Sequence, residues 1–132
     1  MGVELHITRA EFWAMNEVKE ISAEEWLSYV SSDSELKLIP ENGAYFVEWL
    51  GESKYDEPWF DWFQGNINTK WPDTAIFQKM LFIAAALDGQ VQDDEGKVYI
   101  KIGDWEFDPD KKSEIRKTPA KTVWWKKLLS IS

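Results

Sequence analysis

Acids set among aromatic rings are the residues here with the clearest chemical use. In the run Asp56-Glu57-Pro58-Trp59-Phe60-Asp61-Trp62-Phe63, three carboxylates and four large rings share eight positions. Such mixtures occur in sugar-cleaving clefts, where one acid donates a proton and a second stabilises charge or activates water. A chain with 24 acids supplies chance pairs at many spacings, so catalysis is the alternative reading and binding the leading one. Tryptophan beside charge is favoured at partner surfaces. Asp56, Glu57, Trp59, Asp61 and Trp62 are therefore the candidate binding residues of the main body. In a strand over Trp59–Phe63, side chains alternate. Trp59, Asp61 and Phe63 then face one side and Phe60 and Trp62 the other, so either helices cover both faces or one aromatic face is exposed. Burying a tryptophan of ~200 Å² contributes about 5 kcal/mol gross, which sends most of the nine tryptophans to the core.

Other chemistries find little support. His6 is the sole histidine, which rules out a cluster of histidine ligands, and its place among the polar positions of an early strand reads as a surface or hydrogen-bonded residue. The run Asp104-Trp105-Glu106-Phe107-Asp108-Pro109-Asp110 spaces carboxylates like the start of a calcium loop. Its sixth position is Pro109 where glycine is needed, and its twelfth is Ile115 where a bidentate glutamate belongs. These acids read instead as solvent-facing groups on an edge strand. Cysteine is absent, excluding disulfides, thiol nucleophiles and thiolate metal sites, and no glycine-rich phosphate loop occurs. No catalytic residue, metal or cofactor is assigned.

The elements that would position the binding residues are legible in outline. Val3, Leu5 and Ile7 alternate with polar residues, the pattern of a half-buried strand. Thr8 and Glu11 form a capping-box pair with Ile7 and Phe12 as staple, predicting a short helix over roughly Arg9 to Val18. Ser22, Glu25, Ile21 and Trp26 repeat that grammar and predict a helix to about Ser32. Strands are expected over Glu35–Ile39, Ala44–Leu50, Trp59–Phe63 and Asn66–Lys70, the last two joined at Gln64-Gly65. Pro72 and Asp73 start a helix to Leu87 with Ile76, Met80, Ile83, Ala84 and Leu87 as its apolar stripe, and Gly89 ends it. Gln90–Gln92 and Lys97–Ile102 flank the turn Asp93-Asp94-Glu95-Gly96, with Trp105 and Phe107 extending the return strand. The expected fold is α+β: a mainly antiparallel sheet of two hairpins and an N-terminal strand, packed by two or three helices.

Charge divides the chain. Residues 110–132 carry seven bases against two acids, a net +5, which leaves −14 on the first 109 residues of a chain of net −9. The division predicts an acidic α+β domain over residues 1–109 and a basic tail over residues 110–132. A short amphipathic helix is expected in the tail, with Trp124 and Trp125 on its apolar face and Lys126 and Lys127 opposite. These four are the candidate binding residues of the tail. An acidic body repels phosphate backbones, so nucleic acid is excluded as its partner and a basic protein is expected. The tail folds back on the body, makes a weak membrane-surface contact or engages a partner protein. No signal-like segment or span of ~20 apolar residues is present, and the cytoplasm is the expected location.

The segments GVELHITRAEFW, ISAEEWLSYV, NGAYFVEW and PWFDWFQGNINTKWPD resemble a group of small uncharacterised bacterial cytosolic proteins of similar length, over roughly residues 2 to 100. That resemblance implies no catalytic residues. In size, acidity and lack of catalytic machinery the chain is similar in character to the immunity proteins of bacterial toxin systems, which implies binding and neutralising a basic partner. The leading expectation is a cytosolic inhibitor of that kind. The alternatives are a carboxylate-dependent enzyme acting on a carbohydrate-like substrate and a peripheral membrane protein.

Overall fold

One helix starts at its predicted cap and the other at the predicted Pro72-Asp73 pair. In the computed structural model, which describes residues 3–109, α1 (Ala23–Ser32) begins at Ser22, whose Oγ accepts from Glu25 N at 3.0 Å while Glu25 Oε1 accepts from Ser22 N at 2.9 Å. Arg9 grips the same carboxylate with two hydrogen bonds, of 3.0 and 2.8 Å. That grip, helped by the Ser22 amide, holds the Glu25 carboxyl down at about 2. Ser22→Ala is expected to lower stability by about 1 kcal/mol, the usual worth of such a cap, measured as a shift of the denaturant midpoint without change of slope. The second helix, α2 (Thr74–Ala86), starts where Asp73 Oδ1 accepts from Ile76 N at 2.8 Å. At its end Asp88, at φ 60°, takes the left-handed position, and Gly89 N donates to Ala84 O at 2.8 Å.

The seven strands, β1 (Glu4–Thr8), β2 (Leu36–Leu38), β3 (Phe46–Trp49), β4 (Trp59–Phe63), β5 (Asn66–Lys70), β6 (Gln90–Asp93) and β7 (Val98–Tyr99), form one sheet in the order β2-β3-β4-β5-β1-β6-β7. Every pairing is antiparallel. The fold is α+β, as expected. Gln64 and Gly65, at φ 52° and 85°, turn the β4–β5 hairpin; positive φ at both central positions is what a tight two-residue hairpin demands. A Cβ on Gly65 would also stand 2.5 Å from Glu20 Cγ, so that position serves both the turn and the chain packed against it.

One sheet face is the core. Leu5, Ile7, Val47, Phe60, Ile67 and Val91 point into it and meet Trp26 of α1 and Ile76, Phe77, Met80 and Ile83 of α2. Burying these side chains at ~25 cal/mol per Å² is the main stabilising term. The other face carries the alternate residues Trp59, Asp61, Asn66, Asn68, His6 and Gln92, paired by register as Asp61 with Asn68 and Asn68 with His6.

Three expectations are corrected. Residues 9–20 form turns, not a helix. Thr8 Oγ1 accepts from Ala10 N in a local turn, and the carbonyls a helix would use are taken by sheet side chains. Gln92 Nε2 donates to Ala10 O and Glu11 O, and Asn66 Nδ2 to Trp13 O. The segment is thus a strap across the polar face. His6 is buried, at 1% exposure, because β1 is an inner strand whose outward face lies under that strap. Trp105 and Phe107 extend no strand, and the acids beside them are not edge-strand charges. Trp105 Nε1 donates to Pro72 O, Phe107 O accepts from Thr74 N, and Asp108 accepts from the Thr74 hydroxyl, so the segment crosses to the start of α2. Asp104 accepts from the amides of Ile100 and Lys101, closing a turn. The basic tail and its helix lie outside the described residues.

Candidate functional site

Two hollows flank Trp59, one at the end of β4 and β5 and one on the polar sheet face. The first is a cleft of about 630 Å³ walled by Tyr55, Trp59, Trp71 and Phe107, with Asp56 and Glu57 exposed on its rim. Its shape depends on two anchors. Buried Asp73, besides capping α2, accepts from Ser53 Oγ at 2.7 Å and Lys54 N at 2.6 Å, which ties the 51–58 loop to the helix start. Trp71, at φ 42°, holds a backbone conformation costly for a bulky residue. Trp71 N donates to Val3 O, and Trp71 O accepts from the Tyr55 hydroxyl. The turn lifts its ring to 5.2 Å from Phe107 and 6.3 Å from Trp105 and leaves it 41% exposed. Lys70 also lines the cleft, with its amine 3.8 Å from Glu4 Oε2.

The second hollow, about 400 Å³, is lined by Glu4, His6, Trp13, Asp61, Asn66 and Asn68, among others. Trp13 lies flat over the His6 ring, centroids 3.8 Å apart and planes within 10°. His6 Nδ1 is 2.6 Å from Asn68 Oδ1 and Nε2 is 2.9 Å from Asp94 Oδ1. Burial pushes the Asp61 carboxyl above its ordinary range.

The structure therefore divides the predicted acids. Asp56, Glu57 and Trp59 share the aromatic cleft, whereas Asp61 faces the other hollow, so these three carboxylates do not form one site. Trp62 points to the core side, where its Nε1 donates to Ile21 O at 2.7 Å and its ring meets Tyr45 edge-on; half-buried there, it is a packing residue. Trp124, Trp125, Lys126 and Lys127 lie outside the described residues.

No family model matches this chain, and no curated protein or solved structure matches it either.

Tyr55, Trp71 and Phe107 were not foreseen as site residues. Phe107 reaches the cleft only because its segment crosses to α2, a contact between positions 33 apart, and no local pattern signals that. Glu4 and His6 did carry a signal, being two apart on one strand. Their meeting with Asp94 depends on β1–β6 pairing. Among the described residues, no helix is long and apolar enough to cross a membrane.

Proposed function

We propose that this chain is a binding protein for a basic protein partner, and that a lysine or arginine side chain of that partner enters the cleft between Trp59 and Trp71. One observation carries this reading: aromatic walls with two exposed acids at their rim, on a body of net charge −14. Ring faces attract a cation by about 0.5–2 kcal/mol each, more when water is excluded, and rim carboxylates steer it in. A toxin held at a basic segment would be blocked there, the role that likeness to immunity proteins implies.

The probe is an octa-arginine peptide, titrated against the full chain by calorimetry at low and moderate salt. Saturable one-to-one binding is expected, weaker at higher salt and at least 10-fold weaker in Trp71→Ala and in Asp56→Asn/Glu57→Gln. Binding unchanged in both variants would place the peptide on diffuse surface charge and refute the cleft.

Asp61 supports a second reading. A carboxyl pushed up by burial at a hollow is suited to general-acid work on a neutral, carbohydrate-like substrate. Hydrolysis of a panel of aryl glycosides, lost in Asp61→Asn, would favour it over the binding role.

A further inference from the structure

Glu4 and His6 of the second hollow meet Asp94 in a donor set that recognition of a basic segment does not use. Glu4, His6 and Asp94 each bring one ligand-capable atom within 4.8 Å of the other two. His6 is the fixed member, buried on the sheet beneath Trp13; the two carboxylate side chains are 39% and 47% exposed, and Asp94 Oδ2 accepts a long bond of 3.4 Å from Glu4 N.

The hydrogen bonding around His6 sets its tautomer. Asn68 directs its amide nitrogen at the carbonyls of Asp61 and Asn66, at 3.3 and 3.4 Å, which leaves its oxygen for the ring. Nδ1 is then the donor to Asn68, and the lone pair of a neutral ring sits on Nε2, 2.9 Å from Asp94 Oδ1. Two acceptors at that distance need a cation, either a proton on Nε2 or a metal ion that both atoms ligate. A proton would be satisfied by Asp94 alone. Glu4 brings a second carboxylate to the same point, and its contact with Lys70 is long, at 3.8 Å, with that lysine 60% exposed. Metal-ligating histidines almost always donate the other ring N–H to an acceptor such as a carboxylate, a backbone carbonyl or water, the place that Asn68 Oδ1 takes here.

We propose that Glu4, His6 and Asp94 bind one divalent ion of the zinc class, with His6 Nε2 as the preset ligand. One imidazole nitrogen with two carboxylate oxygens suits zinc and its first-row neighbours better than calcium or magnesium, which take oxygen alone. Tetrahedral ligands at about 2.0–2.2 Å stand about 3.4 Å from one another, a geometry that rotation of the two exposed carboxylates would reach from the present separations. The inference is independent of the aromatic cleft.

Chelator-treated full-length protein, titrated with zinc ion alone in competition with a chromophoric chelator, tests it. The expected result is a break at one equivalent, a shift of the His6 ring nitrogen resonances complete at that point, and binding at least 10-fold weaker in Asp94→Asn and in Glu4→Gln. Both replacements are at partly exposed side chains and leave the core untouched. Asn68→Ala, which acts through the orientation of His6, is expected to weaken binding 10- to 100-fold. Absence of a one-equivalent break, with His6 resonances unmoved by zinc, would show that Nε2 holds a proton only and overturn the proposal. So would a one-equivalent site unaffected by both carboxylate replacements.

Discussion

Asp73→Ala is expected to lower the unfolding free energy by roughly 3 kcal/mol and to weaken octa-arginine binding in the cleft at least 10-fold. The carboxylate is fully buried and accepts from Ile76 N, Ser53 Oγ and Lys54 N. Hydrogen bonds to a charged group contribute about 1.5–3 kcal/mol each, but three on one side chain are not additive. Alanine leaves two backbone amides and a hydroxyl without their acceptor, and the 51–58 loop that carries Tyr55, Asp56 and Glu57 loses its tie to α2. Asp73→Asn keeps an acceptor for the helix cap and should lose less stability. Ser53→Ala removes the hydroxyl's bond to Asp73 and the one it accepts from Tyr55 N at 3.0 Å, for about 2 kcal/mol. Denaturant midpoints give the stabilities and the peptide titration gives the cleft. A loss under 1 kcal/mol in Asp73→Ala would mean that water replaces the carboxylate and that the loop does not depend on it.

Asp73 also marks how far the sequence could be read. Its place at the start of a helix was visible, because Pro72, Asp73 and the apolar stripe after them are all local. The β4–β5 hairpin and the α1 capping box were visible for the same reason. Its second role, holding a loop 19 and 20 positions away, was not visible, since no short-range pattern encodes it. The same limit explains the strap. Thr8-Arg9-Ala10-Glu11 has capping-box grammar, yet Gln92 and Asn66, remote in sequence, take the carbonyls that a helix needs. Alternation places His6 on the polar face and allows it to be exposed or hydrogen-bonded; it is hydrogen-bonded and buried, because alternation does not reveal what lies above the sheet. The two hollows follow this rule too: Trp59 and its neighbouring acids were found from composition, while the walls contributed by Trp71 and Phe107 required the tertiary path of the chain.

Lys79→Met is expected to cost about 3 kcal/mol and to flatten the acid limb of the stability curve. Lys79 lies on α2, 8% exposed, with its amine 2.8 Å from both Asp33 Oδ2 and Glu35 Oε1. Asp33 is 11% exposed, and Tyr29 OH donates to it at 2.7 Å. Methionine keeps the apolar stem and removes the charge, leaving a largely buried carboxylate without its cation, for which the usual cost is about 3–5 kcal/mol. The remaining Tyr29 hydroxyl and Glu35 amide bonds to Asp33 place the expected loss at the lower end. Glu35, 55% exposed, contributes little, as surface pairs do. Burial pushes Asp33 up, but its hydrogen bonds to Lys79 and Tyr29 outweigh that and hold it below the ordinary carboxylate range. A carboxyl with a lowered folded value adds stability that is present above its unfolded value, about 3.9, and lost as pH falls through the folded one. Lys79 has the opposite sense. Burial pushes it down, but its two acidic partners outweigh that and raise it, so its contribution holds below about pH 10.4 and is lost as pH rises through the folded value. In Lys79→Met both limbs lose their source, and adding Asp33→Asn to it should recover part of the loss, since the uncompensated charge is then gone. Unfolding midpoints of the three proteins between pH 2 and 7 decide the matter. A Lys79→Met variant that retained the full acid dependence would show that Tyr29 and the Glu35 amide, without the lysine, keep Asp33 ionised.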